Sequence, residues 1–280
     1  MRAVRLRAPG HPVEDADIPM PPCGPGDVLV RVRAAGICHS DVHYRAGRSR
    51  VEPLPLTLGH EVAGEIAAVG EHVRDLRVGD PVCLHYLVIC GHCDDCRAGR
   101  EQFCATGKML GHFTDGGWAE YIAVPARNAV PLPPRVPFAQ GAVMMCSSAT
   151  SLHALRKGRL AAGETVLVVG AGGLGMSAVQ LARALGAADV IAVDRDAAKL
   201  ALAERFGART IQAADLTPDE VVAQVRAMTN GRGVDVALEL VGKPVTMRTA
   251  LQSLAPLGRA VVVGLSDIDL PVDTYRDLIG

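Results

Sequence analysis

Residues 27–33 alternate: Val28, Val30 and Val32 fall on one side, and Leu29, Arg31 and Arg33 on the other. That period of two predicts a half-buried β-strand. Residues 61–70 (EVAGEIAAVG) and 78–84 (VGDPVCL) are short apolar runs broken by Gly64, Gly70, Gly79 and Pro81, which predicts further short strands with turns between them. The first twenty residues also alternate like a strand. The first half therefore reads as a compact barrel-like β domain carrying long loops.

The pattern changes after about Cys146–Ser148. TVLVVG (165–170) and DVIAVD (189–194) are short continuous apolar runs, the pattern of parallel strands covered on both faces. VDVALEL (234–240), RAVVVG (259–264) and a short stretch near Thr210–Ile211 extend the set to five strands. Helical periodicity fills the gaps: Leu174 to Leu185, ended by Gly186; Asp196 to Gly207, with Asp196 as cap; and a helix opened by the capping box Thr217-Pro218-Asp219-Glu220. Alternating strands and helices predict a doubly wound α/β domain.

Composition bounds the function. The chain has 280 residues, a net charge of −1, 49% hydrophobic and 21% charged residues, and only 3% aromatics. No basic surplus points to nucleic acid or to an anionic membrane. No apolar run is long enough to span a bilayer, and the N-terminus has no apolar core of a signal peptide. The expected compartment is the cytoplasm, where lasting disulfides are disfavoured. The eight cysteines therefore need another explanation.

The first candidate chemistry is Gly170-Ala171-Gly172-Gly173-Leu174-Gly175. A G-x-G-x-x-G pattern alone is weak. Here it follows a buried strand, opens a helix, and has Asp194 at the end of the next strand. Gly170 permits the tight turn, Gly172 lets the backbone approach a pyrophosphate, and Gly175 lets helix and strand pack closely. The helix N-terminus offers N–H groups to the phosphates. Asp194 would accept the adenosine ribose hydroxyls and repel a 2′-phosphate, which favours NAD. Arg195, the next residue, acts against that preference.

The second is metal-type residues in GICHSDVHYRAG (36–47), PLTLGHEVAG (55–64) and MMCSSATSLHAL (144–155). Cys38, His60 and Cys146 are zinc-type ligands, and a catalytic zinc needs about three protein ligands and an open position. Each also has a plain structural reading. Ser40 could cap a helix beginning near Asp41.

The third is CGHCDDCRAGREQFC (90–104), which places Cys90, Cys93, Cys96 and Cys104 at C-x2-C-x2-C-x7-C. A ferredoxin-type run has three residues before the last cysteine and then proline. A redox pair needs only two cysteines. Four thiolates make a closed tetrahedral set for structural zinc. Asp94 and Asp95 bring negative charge beside it, with no account from sequence.

Taken together, CHSDVH, PLTLGHE, the four-cysteine lobe, VVGAGGLG and the acidic residue after the second strand resemble the zinc-dependent alcohol dehydrogenases of the medium-chain dehydrogenase/reductase superfamily, from Met1 to about Gly280. The resemblance implies an α/β + β architecture. A GroES-like β-barrel catalytic domain would cover 1–147, with a structural zinc lobe at 90–104, and a Rossmann NAD-binding domain 148–280. It implies two zinc ions per chain. Cys38, His60 and Cys146 would hold the catalytic ion, and Cys90, Cys93, Cys96 and Cys104 the structural one. Glu61 would be the acidic neighbour that approaches the metal, and Asp41 the carboxylate that orients the ligating histidine. Ser40 would take the alcohol proton, with His43 at the far end of the relay. His39 would touch the cofactor pyrophosphate, Lys199 the adenosine ribose, and Tyr86 the substrate pocket. The implied reaction is hydride transfer between a primary or secondary alcohol, or the matching aldehyde or ketone, and NAD, by a homodimer or homotetramer in the full-length form.

The family's cofactor domain has six parallel strands. Five are read here before the chain stops at DTYRDLIG. The expectation is a C-terminal truncation that leaves an exposed sheet edge. The alternatives are a polyol, formaldehyde-adduct or amino-alcohol dehydrogenase on the same scaffold, or a non-catalytic remnant that binds NAD and zinc.

Overall fold

The computed structural model describes residues 1–270, 272 and 273. The chain divides into two compact units, the second beginning at Ser147.

The first unit is mostly antiparallel sheet. Its strands are β1 (Arg2–Leu6), β2 (Glu14–Asp17), β3 (Asp27–Ala35), β4 (Leu56–Thr57), β5 (Val62–Val69), β6 (Pro81–Leu84), β7 (Leu87–Val88), β8 (Lys108–Met109), β9 (Tyr121–Pro125) and β10 (Ala129–Pro131). Three short helices interrupt them: α1 (His39–Arg45), α2 (Asp94–Arg97) and α3 (Phe138–Val143). The main sheet runs β10-β6-β5-β3-β9, β2-β1-β4 form a second, and β7 and β8 a small ribbon. The valine alternation in β3 holds for Val28 and Val30, both fully buried with Val62, Ile66, Val82, Leu84 and Ile122. Val32 only packs against that core, because the register between β3 and β5 slips after Val32. Burying each such side chain contributes about 1.5–3 kcal/mol.

The second unit contains α4 (Ala149–Lys157), β11 (Thr165–Val169), α5 (Gly173–Ala184), β12 (Asp189–Asp194), α6 (Ala197–Arg205), β13 (Arg209–Gln212), α7 (Pro218–Met228), β14 (Val234–Glu239), α8 (Pro244–Gln252) and β15 (Leu254–Val262). The five strands form one parallel sheet in the order β13-β12-β11-β14-β15. Alternate residues of β11 serve two cores: Val166 and Val168 pack on one face, Leu167 and Val169 on the other. That double burial is why the strand reads as a continuous apolar run. The two helix caps read from sequence form as expected: Asp196 accepts from the N–H groups of Ala198 and Lys199, and Thr217 and Glu220 cap α7 reciprocally.

β15 differs from the sequence reading. It begins five residues before Arg259, at Leu254, and its pairing with β14 breaks between Val234 and Val236. Pro256 cannot donate to a ladder, and Leu257 sits at φ 64° and is 96% exposed, so the strand bulges there. Among the described residues no strand lies beyond β15, and Val262, Leu265 and Ile268 are exposed. DTYRDLIG, on which the expectation of a missing sixth strand bears, lies outside the described residues apart from Asp273. No helix among the described residues is long and apolar enough to cross a membrane.

Candidate metal and cofactor sites

Three distant segments of the first unit meet at one point. Cys38 precedes α1, His60 follows β4, and Cys146 lies on a π-helical turn, Met144–Ser148. Such turns recur at functional sites because they re-aim one side chain out of the helical register. One ligand atom from each of Cys38, His60 and Cys146 lies within 4.8 Å of the others. The two sulfurs are 3.9 Å apart.

Asp41 organises this cluster. It is 2% exposed. Its Oδ2 accepts the Cys38 N–H at 2.9 Å, which caps α1, and its Oδ1 lies 3.5 Å from His60 Nδ1. One carboxylate thus positions two candidate ligands. Because α1 begins at His39, Ser40 lies inside the first turn; the capping alternative is wrong, and Asp41 reaches back to do that work. The Ser40 hydroxyl is 3.7 Å from the Cys38 sulfur. His43 follows one turn later, and the His39 and His43 rings meet edge to face at 4.8 Å.

Gly36 and Gly59 hold the surroundings close. A Cβ on Gly36 would strike the Glu61 carboxylate, and Gly59, at φ 94°, lies against Trp118, whose Nε1 donates to Gly36 O at 3.0 Å. The His60 ring packs edge to face on Tyr86 at 5.9 Å. Sequence reasoning gave His112 no role, yet it stacks on buried Tyr44 at 4.4 Å. Only the folding of residues 44 and 112 together reveals that contact.

The electrostatics are those of a site made for a cation. The hydrogen bond between Cys38 and Cys146 pulls the Cys38 thiol far down and pushes Cys146 far up, so the pair shares one proton. Burial works against a charged His60, but Asp41 and Cys38 outweigh it and raise the ring to about 10. Burial, reinforced by the Cys38 thiolate, lifts Glu61 to about 7. A divalent cation would displace these protons.

The four lobe cysteines also converge, with their sulfurs within 4.8 Å of one another. Cys90 lies 3.9 Å from Cys96 and 3.6 Å from Cys104, sulfur to sulfur. A tetrahedron with metal–sulfur bonds of about 2.3 Å has edges of about 3.8 Å, whereas a disulfide needs about 2.05 Å. All eight cysteines are free thiols. Backbone N–H groups support two sulfurs: Cys93 N–H points at Cys90, and Cys90 N–H at Cys104. The latter draws the Cys104 thiol down to about 6. The acidic pair now has an account: both residues sit in the first turn of α2, and Asp95 pairs with Arg100 at 2.8 Å.

Both donor sets fit zinc: a closed tetrathiolate, and an open set of two sulfurs and one imidazole. At the second, His60 Nδ1 and Asp41 Oδ1 are buried without a well-formed partner. Fixing the ring on an ion through its other nitrogen would align them. Asp41→Asn is expected to weaken the zinc held there by about 10–100-fold, read by chelator competition, with the lobe ion unaffected. Unchanged affinity would remove Asp41 from that role.

In the second unit the glycine run opens α5. Gly170 has φ 102°, and a Cβ on Gly175 would fall 2.0 Å from Gly170 O, so both positions demand glycine. Gly172 is the N-cap of α5, and Gly173 and Leu174 form its first turn. Asp194 ends β12 beside this loop: Oδ2 accepts Ala171 N–H at 2.7 Å and Oδ1 accepts Asp196 N–H at 3.0 Å. Lys199 is exposed, with Nζ 4.0 Å from Asp196.

Two features here escaped sequence reasoning. A cavity of about 240 Å³ opens at the strand ends, walled by Val169, Val193, Leu216, Val245 and Thr246, with Arg195 on its lining. Fully buried Glu239 ends β14 and accepts from Val241 N–H and Gly242 N–H, both at 2.9 Å, and from the Thr246 hydroxyl at 2.7 Å. It thereby fixes the turn into α8. An acidic residue ending an apolar strand was its only sequence signal.

Comparison with known proteins bears on both units. The family model described as alcohol dehydrogenase GroES-like domain matches residues 24–134, and that described as zinc-binding dehydrogenase matches 173–279. An NAD-dependent alcohol dehydrogenase from Sulfurisphaera tokodaii is 39% identical, over 96% of this chain and 80% of its own. The chain belongs to the zinc-type alcohol dehydrogenase family of the medium-chain dehydrogenases/reductases. An L-threonine 3-dehydrogenase from Symbiobacterium thermophilum is 37% identical, over all of this chain and 79% of its own. The crystal structure of the Aeropyrum pernix alcohol dehydrogenase superposes with a TM-score of 0.91 at 37% identity, covering 99% of this chain and 82% of that one. The GroES-like and Rossmann-type sheets of the alcohol dehydrogenase fold are thus both present.

Proposed function

We propose that this chain oxidises small primary or secondary alcohols with NAD, and reduces the matching carbonyls, at a zinc ion held by Cys38, His60 and Cys146. The observation that carries the reading is the meeting of those three side chains, two of them 108 residues apart, around one buried carboxylate. When bound, zinc supplies Lewis acidity, which makes an alcohol hydroxyl acidic near neutral pH or polarises a carbonyl.

The chain's own residues do the rest. Asp41 holds His60 and the Cys38 backbone in place. Ser40, beside the Cys38 sulfur, accepts the hydroxyl proton. His43, three residues on and so on the same side of α1, passes it to solvent; imidazole suits that task. Glu61, buried next to His60, would be the acidic neighbour that approaches the ion. Tyr86 contributes to the pocket wall. Cys90, Cys93, Cys96 and Cys104 hold a structural zinc. The first unit is the catalytic domain and the second the NAD domain: Gly170 to Gly175 receive the pyrophosphate, to which His39 also contributes, and Asp194, Arg195 and Lys199 surround the adenosine ribose. Redox chemistry belongs to the cofactor; the protein binds, orients and excludes water. The same reading expects a homodimer or homotetramer in the full-length form, located in the cytoplasm, checked by sedimentation and by cell fractionation.

A second reading on the same site, an amino-alcohol substrate, is favoured by the 37% identity to an L-threonine 3-dehydrogenase. Ethanol, 2-propanol, a vicinal diol and L-threonine, each with NAD and the purified zinc-loaded protein, separate the two. NADH formation with the simple alcohols supports the first reading, and with L-threonine alone the second. Protein that holds two zinc ions and binds NAD yet turns over none of the panel would overturn both.

A further inference from the structure

We infer that Asn128 is a positioning residue for the reaction: it holds the backbone on both sides of Tyr86 and so sets which alcohols the wall beside His60 admits. The inference rests on the alcohol-oxidising reading above and deepens it, by naming what fixes the shape of that wall.

The ladder between β6 and β10 ends at Leu84 and Ala129, and one further bond, from His85 N–H to Asn128 O at 2.8 Å, closes it. Beyond that point the partner chain is the short 3-10 turn Ala126–Asn128, not a strand. The Asn128 side chain takes the place of the missing ladder. Its Nδ2 donates to His85 O at 2.7 Å and to Leu87 O at 2.9 Å. Both partners are carbonyls, so only the nitrogen end of the amide can face them. Asn128 is buried, and its Oδ1 has no partner among the described residues. An apolar side chain would fill the same volume without stranding an acceptor, but it could not bridge two carbonyls.

The residue between those carbonyls is Tyr86. Its ring packs edge to face on His60 at 5.9 Å and lies parallel to the His85 ring at 5.5 Å. Its own carbonyl accepts Leu110 N–H at 2.9 Å, just past β8. His85 Nδ1 also lies 3.1 Å from Leu87 O, but both groups belong to the same segment, so Asn128 is what ties that segment to the main sheet. Without the clamp, residues 85–87 are free to shift. A displacement of about 1 Å near a reacting centre costs up to about 100-fold in rate. Tyr86 is wall and not a reacting group, so its shift changes the room left for substrate and acts unequally on small and large alcohols.

The test is steady-state kinetics of the zinc-loaded full chain with saturating NAD, comparing benzyl alcohol with ethanol. Asn128→Ala should raise the ratio of their kcat/KM values by about fivefold or more, with both zinc ions retained. Asn128→Ser, which keeps one donor, should raise it by less, about threefold, and carries the comparison should the alanine variant not fold. In a Tyr86→Ala background the same substitutions should move the ratio by less than about twofold, because the group they position is gone. A ratio lowered or unchanged within about twofold in the parent background would make Asn128 merely structural and overturn the inference. So would an equal rise in the Tyr86→Ala background, which would show that Asn128 acts by another route. Wild-type protein that binds two zinc ions and NAD yet oxidises neither alcohol would overturn the alcohol-oxidising reading itself, and this inference with it.

Discussion

Cys38→Ala is expected to lower the zinc content from two ions per chain to one and to abolish turnover, with a rate loss of about a thousandfold or more. The size follows from what remains. His60 and Cys146 alone make a two-ligand site, too few to hold an ion that must also keep a position open for substrate. The change is local. The Asp41 cap uses the Cys38 backbone N–H, which alanine retains, so α1 keeps its start. Cys38 is only partly buried, so the fold should lose little stability. Metal analysis and alcohol-dependent NADH formation are measured on the same preparation. Two zinc ions in the variant, or one ion with turnover within tenfold of the parent, would end the assignment.

Cys96→Ala is expected to remove the other ion and to act on stability before chemistry. Neither α2 nor the short turn Glu101–Phe103 has a buried residue, and Phe103 is 64% exposed. The segment 90–104 thus has almost no apolar core. Its folded form depends on metal–thiolate bonds, whose formation is its folding free energy. A loss of about 3 kcal/mol would lower the Tm of a unit this size by roughly 6–12 °C. Trypsin should cut after exposed Arg97 and Arg100 in the variant and spare the zinc-loaded parent. An unchanged Tm and digestion pattern, with one zinc lost, would show that the lobe stands without its ion.

Local signals in this chain were readable because their physics is local. The valine period of β3, the continuous apolar runs of the parallel strands, the caps at Asp196 and Thr217, and the glycines at 170 and 175 each depend on a few neighbouring positions. The four lobe cysteines belong with these, since a fifteen-residue segment closes on itself whatever the rest of the chain does. By contrast, the bulge in β15 depends on an adverse φ at Leu257 that periodicity does not register.

What the amino-acid order determined by itself was the kind of chemistry available: thiolates and imidazole for a soft divalent ion, and a glycine turn with an acidic partner for a dinucleotide. Tertiary structure alone decided which of those groups meet. Cys38 and Cys146 become neighbours across 108 residues, Asp41 serves two candidate ligands at once, Glu239 ties strand to helix, and Arg195 comes to line a cavity at the strand ends. The reason is geometric. Contacts between distant segments follow from how whole sheets and helices pack, and no short window of sequence contains that information.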